Sequence, residues 1–221
     1  MEYHECFATV LNPLTQRTCF SQVADACGVC GGDGSSCAPG PAPAPAGDYQ
    51  FVAPSVEELE TSEFGATFRC VVALKGGATN AYSAAGTEVS PMSFPPAFQA
   101  PAPFGANMGG TNEAFWPFSP AAKYDSWLTV GITAGDTTGA LSSIGIDFAG
   151  WTADAALETS DGAIFFMEPD TGPAAGGDAI VVAQLTVPPG TAWTANAFLQ
   201  GRNAEGAADW RERNVAWSYS P

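Results

Sequence analysis

The run Ile180-Val181-Val182-Ala183-Gln184-Leu185-Thr186-Val187 decides the fold that we predict for this chain. Eight residues rich in β-branched side chains, ended by prolines and a glycine, are typical of a strand. A second strand-like run, residues 193–200, follows at once. The chain around these two runs therefore has to supply further strands rather than a helical bundle.

Five more runs have strand character: residues 67–74, 127–133, 144–148, 163–167 and 215–219. Turns rich in Gly, Pro and Asp separate them. This pattern predicts a mostly β fold, an antiparallel β-sandwich of about eight strands that is jelly-roll-like or immunoglobulin-like. One short helix is predicted over residues 55–60, where a Ser-x-x-Glu capping box follows Pro54.

The segment 82–123 is long, rich in Pro and Gly, and carries many aromatic residues. A structureless loop of this length is unusual inside a compact domain. Its aromatic side chains either pin the segment over the sandwich as a core cover or line a binding surface, and the sequence leaves both alternatives open. The aromatic residues concerned are Phe94, Phe98, Phe104, Phe115, Trp116 and Phe118.

The composition excludes several classes of partner. Seven Lys and Arg residues face 23 acids, and the formal net charge is −16. Nucleic acid and anionic membranes call for a basic surface, so neither is an expected partner. The sequence also lacks an apolar run of the roughly 18 residues that a membrane-spanning helix needs, and we expect no membrane insertion.

The cysteines divide the chain into parts. Five of the six lie in the first forty residues, at Cys6, Cys19, Cys27, Cys30 and Cys37, and only Cys70 lies beyond. A Pro/Ala run between the two groups favours an extended, semi-rigid linker. We predict a small disulfide-rich module over 1–38, a linker over 39–47 and a β-sandwich domain over 48–221.

The most specific string is Asp25-Ala26-Cys27-Gly28-Val29-Cys30-Gly31-Gly32-Asp33-Gly34-Ser35-Ser36-Cys37. It has too few apolar side chains to build a core, so cross-links would have to stabilise it. Three interpretations compete. One is a disulfide knot; another is a zinc or iron–sulfur site, to which Cys6, Cys19 and His4 could contribute; the third is a redox pair at Cys27 and Cys30.

These thirteen residues resemble the CGVCGGDxSSC signature in the cysteine-rich region of the ADAMTS metalloproteases. They are also similar to repeats in secreted and surface proteins of algae, oomycetes and other protists. In those families the segment is an extracellular, disulfide-bonded ancillary element without a catalytic residue. This sequence has no HExxH motif, so the resemblance implies an extracellular module and not proteolysis. Residues 124–131, 183–187 and 199–203 look similar to β-rich modules of large secreted algal and marine microbial proteins, a resemblance that implies no particular activity.

The cysteine count leads to a further expectation. Five cysteines in the small module leave one unpaired, and Cys70 could reach it. We expect three disulfide bonds, one of which joins Cys70 to the module and makes the two parts one rigid body.

The first residues, 1–6, lack the basic and apolar regions of a signal peptide. If the protein is secreted or lies on the cell surface, we therefore expect this chain to be a processed product or a fragment.

The sequence gives little support to an enzyme. His4 is the only histidine and lies outside the large domain, which removes histidine-based triads and histidine-based metal catalysis from that domain. A pair of carboxylates could still hydrolyse a glycoside, and the alternative stays open. The candidate acids lie in turns, at Asp125, Asp136, Asp147, Asp161, Glu168 and Asp170.

Two binding hypotheses use other side chains. Carboxylate oxygens are calcium ligands, and Glu168, Asp170 and Asp178 are the candidates for a structural calcium site. Exposed tryptophans can stack on sugar rings, and Trp116, Trp151 and Trp210 lie near turns where exposure is expected. Our first hypothesis is nevertheless an extracellular structural or adhesive module. It would assemble with other protein subunits or copies of itself; a carbohydrate-binding module is the alternative and a glycoside hydrolase the second alternative.

Overall fold

The computed structural model describes residues 47–177, 179–204 and 208–221. The predicted cysteine-rich module, residues 1–38, and residues 39–46 of the predicted linker lie outside these ranges. The module and its boundary therefore stay predictions. The predicted β-sandwich domain, residues 48–221, is described almost throughout.

Strands dominate the described residues, and three short 3₁₀ helices lie between them at Glu113–Phe115, Pro120–Tyr124 and Pro169–Thr171. The strands are β1 (Val52–Ser62), β2 (Gly65–Leu74), β3 (Ser83–Gly86), β4 (Met92–Phe94), β5 (Trp127–Leu128), β6 (Leu141–Ile144), β7 (Leu157–Thr159), β8 (Gly162–Phe166), β9 (Ile180–Val187), β10 (Trp193–Gly201) and β11 (Trp210–Tyr219).

The strands form two sheets, and every pairing between them is antiparallel. The first sheet has four strands in the order β1-β2-β9-β5. The second has seven, with β10 in the middle: β11 pairs along one side of β10, and β3 and β4 pair along the other. Strands β8 and β6 continue from β3, and β7 continues from β4. The predicted mostly β, antiparallel architecture is confirmed, with more strands than expected.

One apolar core joins the two sheets. Phe68 of β2 and Leu185 of β9 come from the first sheet, whereas Leu199 of β10 and Trp217 of β11 come from the second, and all four side chains are fully buried. The indole N–H of Trp217 also donates to the backbone oxygen of Val71, 2.8 Å away. This bond links an edge strand of one sheet to a central strand of the other.

Strand β9 is buried on both faces, and this explains its continuous apolar run. One face joins the core; a covering segment, residues 97–126, packs on the other and along the sheet edge. Within that segment the amide of Phe98 donates to the oxygen of Thr186 (2.8 Å), and the side-chain amide of Gln184 donates to the oxygen of Asp125 (2.9 Å). The long segment 82–123 is thus divided. Its first part supplies β3 and β4, and its second part is this cover.

The helix predicted over residues 55–60 is wrong, because these residues lie in β1. The strand pairs with β2 from Val52 opposite Leu74 to Ser62 opposite Gly65, with a bulge between Glu58 and Glu60. A capping box is a local preference worth about 1 kcal/mol, and a ten-residue ladder to a core strand outweighs it.

Two of the predicted strands have the wrong extent. The run 127–133 is a strand only at Trp127–Leu128, and the run 144–148 is replaced by β6, which ends at Ile144. Gly131 and Gly145 adopt left-handed backbone conformations, with φ of 85° and 65°. Such a conformation turns the chain out of a ladder, which glycine permits at no steric cost.

Candidate interaction surface

An exposed group of aromatic rings lies on the covering segment. Phe118 is 78% exposed and Phe115 is 48% exposed. The ring of Phe104 lies beside that of Phe115, with 6.0 Å between their centroids. We call Phe104, Phe115 and Phe118 the aromatic surface. Other aromatic residues of the stretch have a different role, since Phe94 is fully buried in the core. The stretch therefore serves as a cover and also presents rings to solvent.

Asp125 holds the loop that carries Phe104. Its side chain is buried and accepts hydrogen bonds from the amides of Ala100 (2.7 Å), Ala106 (2.6 Å) and Ser126 (3.0 Å). Ala100 and Ala106 bracket the loop, so one carboxylate fixes both of its ends. Burial raises the pKa of Asp125 to about 6, although the three amide donors favour the ionised form. The hydroxyl of Thr111 adds a bond of 2.8 Å to the oxygen of Phe104.

An open depression of about 450 Å³ lies against this aromatic surface. Its walls include Pro103, the rings of Phe104 and Phe115, and the glycine-rich turns at 110 and 135. Gly110 has φ of 72°, and a Cβ there would lie 2.7 Å from the oxygen of Thr133. The close approach of these two turns requires glycine at this position.

The polar side chains around the depression are occupied by local bonds. Asp136 accepts from the amides of Ala140 (3.1 Å) and Leu141 (2.8 Å) and from Thr138, and its pKa is lowered because these bonds outweigh the opposing effect of burial. The side chain of Asn112 accepts from the amide of Ala114 (2.9 Å). The depression therefore offers mainly apolar contact, and its chemistry suits an apolar side chain of a partner.

The structure corrects the expected sugar platform. Trp151 and Trp210 are not exposed but fully buried. Their indole N–H groups donate to the oxygens of Pro95 and Asn80, at 2.8 and 2.9 Å. Their positions near turns were misleading, because a tryptophan can close the core from a turn when its N–H finds a carbonyl. Trp116 is half-buried beneath Lys123, whose ammonium lies 5.8 Å from the ring centroid.

The calcium candidates are only partly described. Glu168 and Asp170 are exposed, and Asp178 lies outside the described residues. The carboxylate of Asp170 accepts from the Nε of Arg202 at 2.7 Å, and this guanidinium also pairs with Asp209 at 2.9 Å. Among the described residues no group of three metal-ligating side chains occurs. A calcium site at these residues would first have to displace Arg202, and it stays a prediction.

The candidate acids for glycoside hydrolysis are mostly engaged in structural bonds. Asp125 and Asp136 hold loops as described above, and Asp147 accepts from the amide of Gly150 at 3.0 Å. Asp170 is paired with Arg202, whereas Asp161 and Glu168 are exposed. A general acid needs a free oxygen aimed at the substrate, and the bonds of these four carboxylates serve the fold instead.

Cys70 lies on β2 with its side chain fully buried in the core, and no cysteine among the described residues is bonded to it. The expected bond between Cys70 and the amino-terminal module involves cysteines outside the described residues and stays a prediction. Burial raises the pKa of this thiol well above its usual range. A disulfide bond requires Cα atoms within about 7 Å of each other, so a partner cysteine would have to enter the core. The remaining five cysteines lie outside the described residues, and their pairing stays a prediction.

Sequence reasoning gave no weight to one further surface. Residues 210–213 begin the edge strand β11, and Arg211 and Arg213 are exposed there. They border an open depression of about 600 Å³. Which side chains of a hairpin share a face depends on the register of its two strands. The sequence did not show the register of β10 and β11, so it did not bring these residues together.

Comparison with known proteins gave no match to a family model, to a curated protein or to a solved structure. Among the described residues, no helix is both long and apolar enough to cross a membrane.

Proposed function

We propose that this chain is a structural or adhesive module that joins a larger assembly by binding a protein partner through the aromatic surface. The observation that carries the proposal is the exposure of Phe115, whose ring borders the apolar depression, and of Phe118, which follows three residues later and whose amide bonds to the oxygen of Phe115. Exposed apolar groups that lie together, rather than singly, mark interaction sites. The partner would be another protein subunit or a second copy of this chain.

The energetics favour a partner over permanent exposure. Removing a Phe side chain from water stabilises a complex by about 1.5–3 kcal/mol. Aromatic anchors that fill a pocket dominate most protein interfaces. The loop of Phe104 is fixed by Asp125, so little ordering of the backbone would oppose binding.

Binding of a protein is better supported than binding of a glycan. Two of the three tryptophans in the glycan hypothesis are buried, and Phe115 and Phe118 carry no polar group that could bond to a sugar hydroxyl. A carboxylate hydrolase is supported least, since four of its six candidate acids have structural partners.

We further propose that the protein is extracellular, secreted or on the cell surface. The support is the thirteen-residue cysteine motif at 25–37 and its resemblance to extracellular elements. Three of the six cysteines lie within this motif, at Cys27, Cys30 and Cys37. Mass mapping of the unreduced protein would test the proposal, which requires bonds among Cys27, Cys30 and Cys37 or their neighbours; five free thiols would contradict it.

Retention in the native setting tests the binding function. The double variant F115S/F118S removes two rings of the aromatic surface, and I144S/M167S is its matched control, because Ile144 and Met167 are also exposed, by 68% and 60%. We expect the wild type and the control to stay with the surface or matrix fraction of the source cells, and the aromatic variant to be released. Equal retention of all three proteins would contradict the proposal.

A further inference from the structure

A second depression lies on the outer face of the seven-stranded sheet and carries positive charge. Gln200 of β10 lies directly opposite Arg211 of β11, and Phe198 and Arg213 lie further along the same two strands. The depression has a volume of about 600 Å³. Val89, which is 66% exposed, forms its rim. We call this site the arginine depression.

The backbone around the arginine depression is fixed. Thr87 and Ser90 close a tight turn with paired backbone bonds of 2.9 and 3.1 Å. The hydroxyl of Ser90 accepts from the amide of Asn214 at 2.8 Å, which ties the turn to the bulge of β11. The turn lies between β3 and β4, which pair along one side of β10, whereas β11 pairs along the other side. The bond from the turn to β11 therefore reaches across β10. The turn that carries Val89 is thereby held against β11, the strand that carries the two arginines.

Arg211 and Arg213 are available to a partner. Within the described ranges, neither guanidinium forms an ion pair, whereas Arg202 and Lys123 do. Glu212 also borders the depression, but its carboxylate accepts from the amide of Phe51 at 2.7 Å. An exposed pair of arginines is unusual in a chain with 23 acids and seven bases.

The complementary surface is the outer edge of β1. This strand ends the four-stranded sheet, and in the described structure no strand pairs with its outer side. Glu57 and Glu58 are exposed on β1, and Glu63 follows in the turn to β2. Glu60 forms an ion pair with Lys123, whereas Glu57, which lies opposite Arg69 of β2, and Glu58 form none among the described residues. An extended strand with exposed carboxylates suits a long, open depression bordered by two arginines.

We propose that the arginine depression binds the acidic β1 edge of a second copy of this chain. The depression lies on β10 and β11 and the exposed glutamates lie on β1, so the two surfaces share no residue. A contact between unlike surfaces is heterologous, and repeating it builds a ring or an open filament. The inference goes beyond the proposed function, because neither the arginine depression nor the β1 edge belongs to the aromatic surface.

Salt gives the interaction a distinctive signature. The net charge of −16 makes two copies repel at long range, and this repulsion is screened above about 0.1 M salt, where the Debye length is about 10 Å. The close Arg–Glu pairs weaken only at higher salt. Self-association should therefore pass through a maximum as sodium chloride rises from low to molar concentration.

A charge-swap experiment on the full chain tests the inference by sedimentation velocity at 0.15 M sodium chloride. We expect the wild type to self-associate with increasing concentration. The variants R211E/R213E and E57R/E58R should each raise the dissociation constant at least tenfold, and an equimolar mixture of the two should regain association. Circular dichroism of each variant checks that it is folded.

Three outcomes would overturn the inference: a wild type that stays monomeric at all concentrations, charge variants that associate as the wild type does, or a mixture that fails to recover. The variant F115S/F118S is run in parallel and keeps the two proposals apart. If it alone loses association, the aromatic surface is the contact and the arginine depression is not. If it associates normally while the charge swap behaves as expected, the arginine depression is the self-contact, and the retention experiment alone decides the role of the aromatic surface.

Discussion

Asp125 is the residue on which the position of the Phe104 loop depends most directly. Its carboxylate accepts three amide bonds in a buried site. In D125N, an NH₂ group would face an amide donor and leave it unsatisfied. We expect a loss of about 1–3 kcal/mol in the free energy of unfolding, measured with urea. The control D147N changes an exposed carboxylate and should cost only about 0.5 kcal/mol. Equal losses would contradict the role given to Asp125.

The pH dependence of stability carries a second signature of Asp125. Its pKa is raised to about 6 by burial, against about 3.9 in an unfolded chain. The folded state therefore holds this proton more tightly. The resulting stabilisation is complete below about pH 4 and is lost as the pH rises through about 6. The difference in unfolding free energy between the wild type and D125N should be larger at pH 4.5 than at pH 7.5; a constant difference would refute the raised pKa.

Cys70 gives a prediction about reactivity. The thiol is buried and its pKa is raised, and thiolate is the reactive form. Iodoacetamide should leave Cys70 unlabelled in the folded protein and label it in denaturant without any reductant. Peptide mapping measures both. If Cys70 is labelled in denaturant only after reduction, it is held in a disulfide, and the stapled arrangement expected from the cysteine count would be restored.

At the scale of elements, the bulge of β11 depends on one backbone conformation. Asn214 has φ of 51°, a left-handed conformation that Asn and Gly tolerate better than other residues. N214A should therefore lower the free energy of unfolding by about 1 kcal/mol, whereas N214G should change it little. Thermal or chemical denaturation of both variants checks the pair. Similar effects of Ala and Gly would show that the bulge does not depend on this conformation.

The individual strands show how far the sequence could predict the fold. Strand β9 was found because its run is long and apolar, and β10 because its β-prone residues extend over nine positions. Strand β1 was missed because its exposed edge carries three glutamates, which favour a helix locally, and only its pairing with β2 shows otherwise. The short strands β3, β4 and β7 have four residues or fewer, too few for a periodic pattern to appear.

The candidate surface was predictable only in outline. The stretch 82–123 was singled out for its aromatic residues, but nothing in the sequence separates Phe94, which is buried, from Phe118, which is exposed. Both lie among Pro and Gly residues without periodicity. Which ring faces solvent depends on the bonds that hold the covering segment, above all those of Asp125 to Ala100 and Ala106, and these join residues that are well separated in the sequence.

For the whole molecule, charge should govern stability. A net charge of −16 on 221 residues favours expansion through self-repulsion. We expect the melting temperature to rise between 10 and 150 mM sodium chloride, where the Debye length falls from about 30 to about 8 Å. Calcium chloride at equal ionic strength is the control. A larger rise with calcium, reversed by EDTA, would support a bound cation, and a melting temperature indifferent to salt would contradict the electrostatic argument.

The central claim is that the aromatic surface contacts a protein partner, and site-specific photo-crosslinking tests it most directly. A photoreactive phenylalanine at position 118 would probe the surface in the full chain in its native setting; the same group at position 144, which is 68% exposed, is the control. We predict a discrete protein adduct from position 118, absent from position 144 and lost when Phe115 is also replaced by Ser. No adduct at position 118, or the same adducts at both positions, would contradict the account.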